Sequence, residues 1–278
     1  MIKSLINNTV IQFLTVLRKF SAGKYLIDQG VSSTVESVRT VSFKGTSFIF
    51  ATPNRLSEYR ADSFATKEPE TLEWIDSIPL DSVVWDIGAN VGLYSVYAAR
   101  TRNSSVFAFE PSVFNLELLA RNIFLNNLTN KVVIVPLPLN DRVGYSNMRM
   151  TTTEWGGALS SFDHDLGFDG EKVRKVFEFK VVGVSMEDAK HHLGIPQPDY
   201  IKMDVDGIEH FILKGGADVL KKVKGLLIEV NDDFDEQASQ CEALLQEAGL
   251  TLKEKRHGDV FEEDASLFKN CYNQIWAR

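Results

Sequence analysis

The chain has 278 residues, of which 44% are hydrophobic and 24% charged, a balance that is ordinary for a soluble globular protein. This composition excludes a collagen-like, low-complexity or largely disordered chain, and the length suffices for one large domain or for a domain of about 200 residues with a smaller attachment. The formal net charge of −8 argues against a general nucleic-acid binder, because binding to phosphates needs clustered Lys and Arg side chains.

The first twenty residues carry a helical period of apolar side chains. Apolar residues recur there at three- and four-residue steps, at Ile2, Leu5, Ile6, Val10, Phe13, Leu14 and Leu17. Every charge before Asp28 is basic. The pattern predicts an amphipathic helix that packs on its own domain, joins a second subunit in a homodimer, or makes peripheral contact with an anionic membrane.

Two further patterns complete the first eighty residues. A strand pair is predicted over Val35–Phe43 and Thr46–Phe50, with Lys44-Gly45 as the turn. A short helix is predicted over residues 68–78, and Pro79 ends it. We therefore predict an N-terminal α+β accessory region over residues 1–80.

After Asp81, short apolar strands alternate with helical segments. Strands are predicted at Val83–Asp86, Val106–Glu110, Val132–Val135, 177–184, Tyr200–Asp204, Gly225–Val230, Leu250–Glu254 and Asn273–Ala277. Helices are predicted after the first, second, fifth and sixth of these strands, and a short one opens at Ser185. This alternation implies an α/β fold with a mostly parallel sheet over residues 81–278.

The turn after the first of these strands predicts the cofactor. It reads D-I-G-A-N-V-G over residues 86–92, where Gly88 permits the turn and Gly92 permits close approach of a ligand. A dinucleotide-binding turn has a middle glycine, but here that residue is Asn90. The Asp86 carboxylate would repel a pyrophosphate and would attract the ammonium and sulfonium groups of S-adenosylmethionine.

The second strand ends in Glu110, 22 residues after Gly88. An acidic side chain at this point accepts hydrogen bonds from ribose hydroxyls, in dinucleotide enzymes as well. The alternative is that Glu110 and Pro111 only begin a helix, where the macrodipole favours a carboxylate. Together with Asp86, the position favours cofactor binding.

These motifs resemble the FkbM-like family of S-adenosylmethionine-dependent methyltransferases. The resemblance spans roughly residues 68–231 and rests on EPE (68–70), VVWDIGANVGLYS (83–95), VFAFEPS (106–112), PLNDRVG (138–144), YIKMDVDGIEHFILKGG (200–216) and LLIEVN (226–231). It implies a class I methyltransferase fold, a Rossmann-like sheet of seven strands with one antiparallel, flanked by helices. Two departures stand out: Asp206 replaces the usual Glu, and Pro138 replaces a frequent Ala.

The resemblance also assigns the adenine contacts. It implies that Leu139 packs on the adenine ring and that Asn140 and Asp141 meet its exocyclic amine. The alternative for these two residues is an ordinary turn before Gly144.

Four ionisable residues after the later strands are candidates for catalysis. A hydroxyl acceptor must lose its proton during methyl transfer, which calls for a base or a metal. Lys202 and Asp204 share one face of a strand, and Asp206 follows them at the strand's carboxyl end. Glu229 closes the next apolar strand. The alternative is a helix start, with Asp206 as the cap and Glu209 as its capping-box partner.

Two weaker candidates complete the predicted site. Asp204, Glu229 and Asn231 offer oxygen ligands to Mg²⁺, but they lack a fixed ligand spacing. His164, within the Gly- and Ser-rich segment 151–170, is a second candidate base, and Trp155 could stack on a sugar. The alternative for this segment is a surface loop.

We predict an O-methyltransferase that acts on a hydroxyl of a sugar, glycan or secondary metabolite. The alternatives are a nicotinamide-dependent oxidoreductase and a non-catalytic scaffold that keeps the cofactor pocket. The sequence has two cysteines, no uninterrupted apolar segment of membrane-spanning length and no secretory signal pattern, which favours a cytoplasmic location, with membrane association through residues 1–20 as the variant.

Overall fold

The computed structural model describes residues 2–258 and 268–278, with side chains from residue 8 onward in the first range. Ahead of the central sheet lie α1 (Ile2–Leu17), α2 (Ser21–Val35), β1 (Val38–Phe43), β2 (Thr46–Ala51), α3 (Arg55–Asp62) and α4 (Pro69–Ser77). The predicted amphipathic helix, strand pair and short helix are present. The side chains of Ile2, Leu5 and Ile6, predicted for the apolar face of α1, lie outside the described residues.

Two of these helices, α2 and α3, were not predicted from the sequence. Helix α2 contains Gly23 and Gly30 and ends in a Ser- and Thr-rich turn, a composition with low helix propensity. Helix α3 has only eight residues, and its clearest local signal is a capping box in which Asn54 and Ser57 exchange hydrogen bonds. No helix in the described parts of the chain has both the length and the apolar character needed to cross a membrane.

The remaining elements alternate between strand and helix. They are β3 (Val83–Ile87), α5 (Leu93–Arg102), β4 (Ser105–Phe109), α6 (Val113–Leu125), β5 (Val132–Val135), β6 (Gly144–Met150), β7 (Ser161–Phe162), β8 (Phe177–Gly183), α7 (Met186–His191), β9 (Tyr200–Met203), α8 (Glu209–Lys214), α9 (Ala217–Leu220), β10 (Gly225–Asn231), α10 (Asp235–Glu247), β11 (Thr251–Arg256) and β12 (Cys271–Ala277).

Seven strands form the central sheet in the order β11-β12-β10-β9-β3-β4-β5. Strands β5, β4, β3, β9 and β10 pair in parallel, whereas β12 is antiparallel to both of its neighbours. This is the predicted class I arrangement of seven strands with one antiparallel. The chain leaves β3 toward β4 and later returns to its other side as β9, so the carboxyl end of β3 is the switch point at which such sheets bind ligands.

The two faces of the sheet bury separate apolar clusters. Trp85 and Ile87 point to the face covered by α7–α10, because alternate residues of a strand point to opposite faces. Val84 points to the other face, where β2 and α3–α6 pack. Strands β6, β7 and β8 form a separate three-stranded sheet at the α7–α10 face.

Apolar packing continues across the predicted boundary at residue 80. Phe48 of β2 and Phe64, just after α3, lie 5.5 Å and 5.7 Å from the ring of Tyr97 in α5. Residues 46–78 therefore share a core with the first helix of the sheet domain. The division into residues 1–80 and 81–278 stays a prediction.

Candidate active site

The turn after β3 has the left-handed backbone that its glycines permit. The φ angles of Gly88, Asn90 and Gly92 are 80°, 52° and 82°. A Cβ at Gly88 would lie 1.8 Å from the carbonyl oxygen of Asp204. Gly88 is therefore needed both for the turn and for close contact with the exit of β9.

Asp86 lies beneath this turn and is 2% exposed. Its Oδ2 accepts a hydrogen bond from Ser95 at 2.5 Å, and its Oδ1 lies 3.8 Å from Lys202 Nζ. Burial raises the pKa of Asp86, while the charge of Lys202 opposes that shift. Asp86 is not among the residues lining the cavity described below, so its direct contact with a cofactor stays a prediction.

Glu110 stands at the carboxyl end of β4, and backbone amides hold its carboxylate. Its two oxygens accept hydrogen bonds from the amides of Asn90 at 2.8 Å and Ser112 at 2.7 Å. Burial raises the pKa of Glu110 to about 7. The side chain thus links the glycine turn to the start of α6.

A cavity of about 310 Å³ opens at these strand ends. Its lining includes the glycine turn, the carboxyl ends of β4, β9 and β10, and residues of α3. Among the predicted site residues, those that line it are Gly88, Asn90, Glu110, Pro111, Leu139, Lys202, Asp204, Asp206 and Glu229. The structure therefore brings most of the predicted cofactor and catalytic residues to one place.

Three carboxylates meet at one end of the cavity. Asp204, Asp206 and Glu229 each offer an oxygen, and these oxygens lie within 4.8 Å of one another. Lys202 Nζ lies 3.1 Å from Asp204 Oδ2 and is buried. We call the three carboxylates Asp204, Asp206 and Glu229 the acid cluster.

The acid cluster holds its charges unequally. Burial alone would raise the pKa of Asp204, but the charges of Lys202 and Lys67 lower it below its usual range. Burial and the negative charge of Asp204 raise the pKa of Asp206 to about 6 and that of Glu229 well above its usual range. These shifts favour the ionised form of Asp204 and the protonated form of Glu229.

Two of the three predicted Mg²⁺ ligands, Asp204 and Glu229, belong to the acid cluster, but the third, Asn231, does not. Asn231 donates from its amide to the Phe168 carbonyl at 2.9 Å and accepts from the Asp233 amide at 3.0 Å. Asp206 stands in the cluster with Asp204 and Glu229 instead. The Mg²⁺ site stays a prediction.

The alternative of a capping box at the start of α8 is wrong. Helix α8 begins at Glu209, and its N-cap residue Ile208 makes no side-chain cap. Asp206 instead accepts a hydrogen bond from the Leu159 amide at 2.7 Å, with its own backbone at φ 63°. The side chain of Asp206 is thus held by the segment that precedes β7.

Glu209 stabilises the loop between β9 and α8. It is fully buried, and its carboxylate accepts hydrogen bonds from the amides of Val205 at 2.9 Å and Gly207 at 3.0 Å, and from the Gln237 side chain. These bonds fix the loop that carries Asp204 and Asp206.

The residues predicted to surround adenine separate in the structure. Leu139 lines the cavity together with Leu137 and Pro138. Asn140 is buried, and its amide donates to Asp163 at 3.0 Å, while Asp141 pairs with Arg142 at 2.7 Å. Neither Asn140 nor Asp141 is among the lining residues, and their adenine contacts stay predictions.

His164 lies outside the cavity lining. Its ring stacks on Phe211 at 3.6 Å, and burial lowers its pKa. Its Nε2 is buried without a hydrogen-bond partner among the described residues. A catalytic role for His164 stays a prediction, and Asp206 has the better position.

The segment 154–159 crosses the cavity between the cofactor turn and the acid cluster. The Gly157 carbonyl accepts hydrogen bonds from the side chains of Asn90 at 2.7 Å and Asn115 at 3.0 Å. Trp155 donates to Glu117 at 3.1 Å. This segment, predicted as a binding loop or a surface loop, is therefore tied to the sheet domain at several points.

Sequence interpretation missed the contribution of the N-terminal region to the cavity. Lys67 donates to Glu68 at 2.5 Å, and the buried Glu68 also accepts from Tyr94 at 3.0 Å. Tyr59 and Arg60 of α3 also line the cavity. The only signal was the EPE motif at residues 68–70, since the contacts themselves join distant parts of the chain.

Comparison with known proteins identifies the family. The family model of the methyltransferase FkbM domain matches residues 86–261. Over 174 residues the chain is 27% identical to the hexuronic acid methyltransferase AglP of Haloferax volcanii, covering 62% of this chain and 65% of that protein, or just under two thirds of its length. It is 26% identical over 204 residues to the methyltransferase sdnD of Sordaria araneosa, covering 66% of this chain and 78% of that protein.

Solved structures are also similar to the chain. The precorrin-6y C5,15-methyltransferase of Geobacter metallireducens matches with a TM-score of 0.44 at 17% identity, covering 82% of this chain and 93% of that one. The TYW2 protein of M. jannaschii, in complex with AdoMet, matches with a TM-score of 0.43 at 15% identity, covering 87% of each chain. On the match of the family model, which covers more than half of its length, the chain belongs to the FkbM family of methyltransferases.

Proposed function

We propose that this methyltransferase transfers a methyl group to a hydroxyl oxygen of a sugar, glycan or secondary metabolite. The observation that carries the proposal is the acid cluster, which opens into the same cavity as the glycine turn. A methyl donor and a proton acceptor are both needed for O-methylation, and the cavity brings the residues for both together.

Family membership implies S-adenosylmethionine as the methyl donor, and the cavity residues fit it. Gly88 and Asn90 of the glycine turn line the cavity, Glu110 offers carboxylate oxygens to ribose hydroxyls, and Leu139 offers an apolar surface to adenine. Bound S-adenosylmethionine supplies an activated methyl group on a sulfonium. The ionised Asp204 and the carboxylate of Glu68 suit a ligand of positive charge.

The acid cluster provides the base. Bound S-adenosylmethionine would supply the methyl group to the acceptor oxygen and keep the electron pair of the broken carbon–sulfur bond, and a carboxylate of the acid cluster would accept the proton that the hydroxyl loses. We assign the proton to Asp206, since its pKa of about 6 leaves it ionised at neutral pH. Lys202 keeps Asp204 ionised, so that Asp204 does not compete for the proton.

Helix α3 supplies the acceptor side of the cavity. Tyr59 is 56% exposed and lines the wall, and its ring can stack on the face of a sugar. Arg60 uses its Nε to donate to the Gly156 carbonyl at 2.7 Å, and among the described residues its Nη atoms have no partner. A guanidinium in this position suits acceptors with an oxygen-rich or acidic substituent, and one relative is named for a hexuronic acid.

The test is methyl transfer to a panel of sugars, uronic acids and glycolipids, followed by mass spectrometry of the product. An ether product resists alkaline hydrolysis, whereas methylation of an acceptor carboxylate would give an ester that alkali cleaves. Asp206→Asn should lower turnover at least about 100-fold, and Asp218→Asn, a solvent-exposed aspartate of α9, should leave it unchanged.

The two alternatives from the sequence predict other outcomes. A nicotinamide-dependent oxidoreductase would gain thermal stability from NAD(H) and not from S-adenosylmethionine. A scaffold would bind S-adenosylmethionine, yet no acceptor in the panel would be methylated and Asp206→Asn would have no measurable effect. An alkali-labile product would refute the assignment to a hydroxyl.

A further inference from the structure

The N-terminal helix pair, defined as residues 2–35 of α1 and α2, presents apolar side chains to solvent. Eight large apolar side chains are between 48% and 64% exposed: Val10, Ile11, Phe13, Val16, Phe20, Tyr25, Leu26 and Val31. A monomeric surface rarely gathers so many apolar side chains in one segment. The density of these side chains marks an interaction surface.

The helix pair holds together but has little contact with the rest of the fold. Gly23 packs against α1, where a Cβ would lie 2.1 Å from the Leu17 carbonyl oxygen. Leu14, Leu17 and Ile27 are half-buried. Arg121, which belongs to α6 in the body of the protein, donates a hydrogen bond of 3.4 Å to the Val35 carbonyl of α2. The exposed apolar side chains are therefore not buried by the contact between α1 and α2.

The charge of the helix pair is opposite to that of the body. The pair carries four basic residues, Lys3, Arg18, Lys19 and Lys24, and one acidic residue, Asp28, for a net charge of +3. Because the whole chain has a net charge of −8, the rest of the chain has a net charge of −11. Arg18, Lys19 and Lys24 flank the turn between the two helices, so the positive charge is concentrated there.

We propose that the N-terminal helix pair docks on an anionic lipid surface. Apolar side chains beside a basic cluster match such a surface in both respects, because the apolar groups enter the headgroup region and the cations pair with lipid phosphates. Helix α1 has 16 residues and lies in the interface without crossing it. A contact between the helix pairs of two copies would place two segments of net charge +3 against each other, and this favours lipid over a second copy.

The test is co-sedimentation of the full chain with vesicles. The protein should bind vesicles that contain about one third phosphatidylglycerol, and binding should weaken in high salt and on phosphatidylcholine alone. Phe13→Ser with Phe20→Ser should lower the affinity at least about tenfold, because two apolar groups leave the interface. Phe124→Ser is the matched control, since Phe124 is 71% exposed on α6.

A second pair of variants tests the charge. Arg18→Gln with Lys19→Gln should lower the affinity for the anionic vesicles about tenfold and leave the weak binding to phosphatidylcholine unchanged. Lys222→Gln with Lys253→Gln removes two exposed cations of the body and should change neither. Circular dichroism checks that each variant remains folded.

Three results would overturn the proposal. The first is an absence of vesicle binding by the folded protein, and the second is binding that the Phe13 and Phe20 substitutions leave intact. The third is a dimer by light scattering that the same two substitutions dissociate, which would assign the surface to a second copy.

Discussion

The carboxylates at the two ends of the cavity are held in different ways. At the end of β4, Glu110 accepts two backbone hydrogen bonds, so its position is set by the backbone of the glycine turn and of the start of α6. At the ends of β9 and β10, Asp204, Asp206 and Glu229 lie close to one another, and their charges depend on one another and on two lysines. The first arrangement suits steady hydrogen bonding to a ligand, and the second suits the movement of a proton.

The largest expected effect is at the acid cluster. Asp204→Asn removes the charge that Lys202 balances and that raises the pKa of both neighbouring acids. Turnover should fall by about 100- to 10,000-fold, the range for loss of acid–base or electrostatic catalysis. S-adenosylmethionine affinity by calorimetry should change far less than turnover, and equal losses in both would show that Asp204 acts mainly in cofactor binding.

Gly88 connects the two ends, and its substitution should damage both. Gly88→Ala places a Cβ against the Asp204 carbonyl in a backbone of φ 80°, so we expect a loss of about 2–4 kcal/mol in the free energy of unfolding. Gly144→Ala is the control, because a Cβ there would have no atom within 4 Å. Chemical denaturation measures both, and a Gly88→Ala protein as stable as the control would contradict the close approach of the two loops.

Glu110 should affect binding more than chemistry. Glu110→Gln keeps the shape of the side chain but turns one acceptor into a donor that faces a backbone amide. We expect the dissociation constant for S-adenosylmethionine to rise about tenfold, with turnover at saturating cofactor nearly unchanged. If turnover fell and affinity did not, the contrast between the two ends of the cavity would be wrong.

Local patterns in the sequence were enough to predict the central sheet and much of the cavity. The glycine turn, Glu110 and the two aspartates after β9 follow strands, and Glu229 lies near the end of β10. The carboxyl ends of parallel strands must meet at one edge of the sheet. Contacts between distant segments could not be predicted in this way. Arg60 meets Gly156 across 96 residues and Asn54 meets Trp155 across 101, and neither pair has a local signature.

The capping box shows how a local pattern can mislead. Asp206 and Glu209 have the correct spacing for one, yet Asp206 bonds to Leu159, 47 residues away. The Leu159 amide holds this carboxylate within the acid cluster, where burial and the charge of Asp204 raise its pKa to about 6.

The smallest expected effect compares the two candidate bases through pH. Asp206 must be ionised to accept a proton, and its pKa is about 6, so turnover should rise about tenfold between pH 5 and pH 7 and then level off. Residual activity of Asp206→Asn should lose this step, because the group that titrates is gone. His164→Gln should keep the step and change turnover less than about threefold, since His164 stacks on Phe211 outside the cavity lining. A profile that His164→Gln flattens, and Asp206→Asn does not, would move the base from the acid cluster to His164.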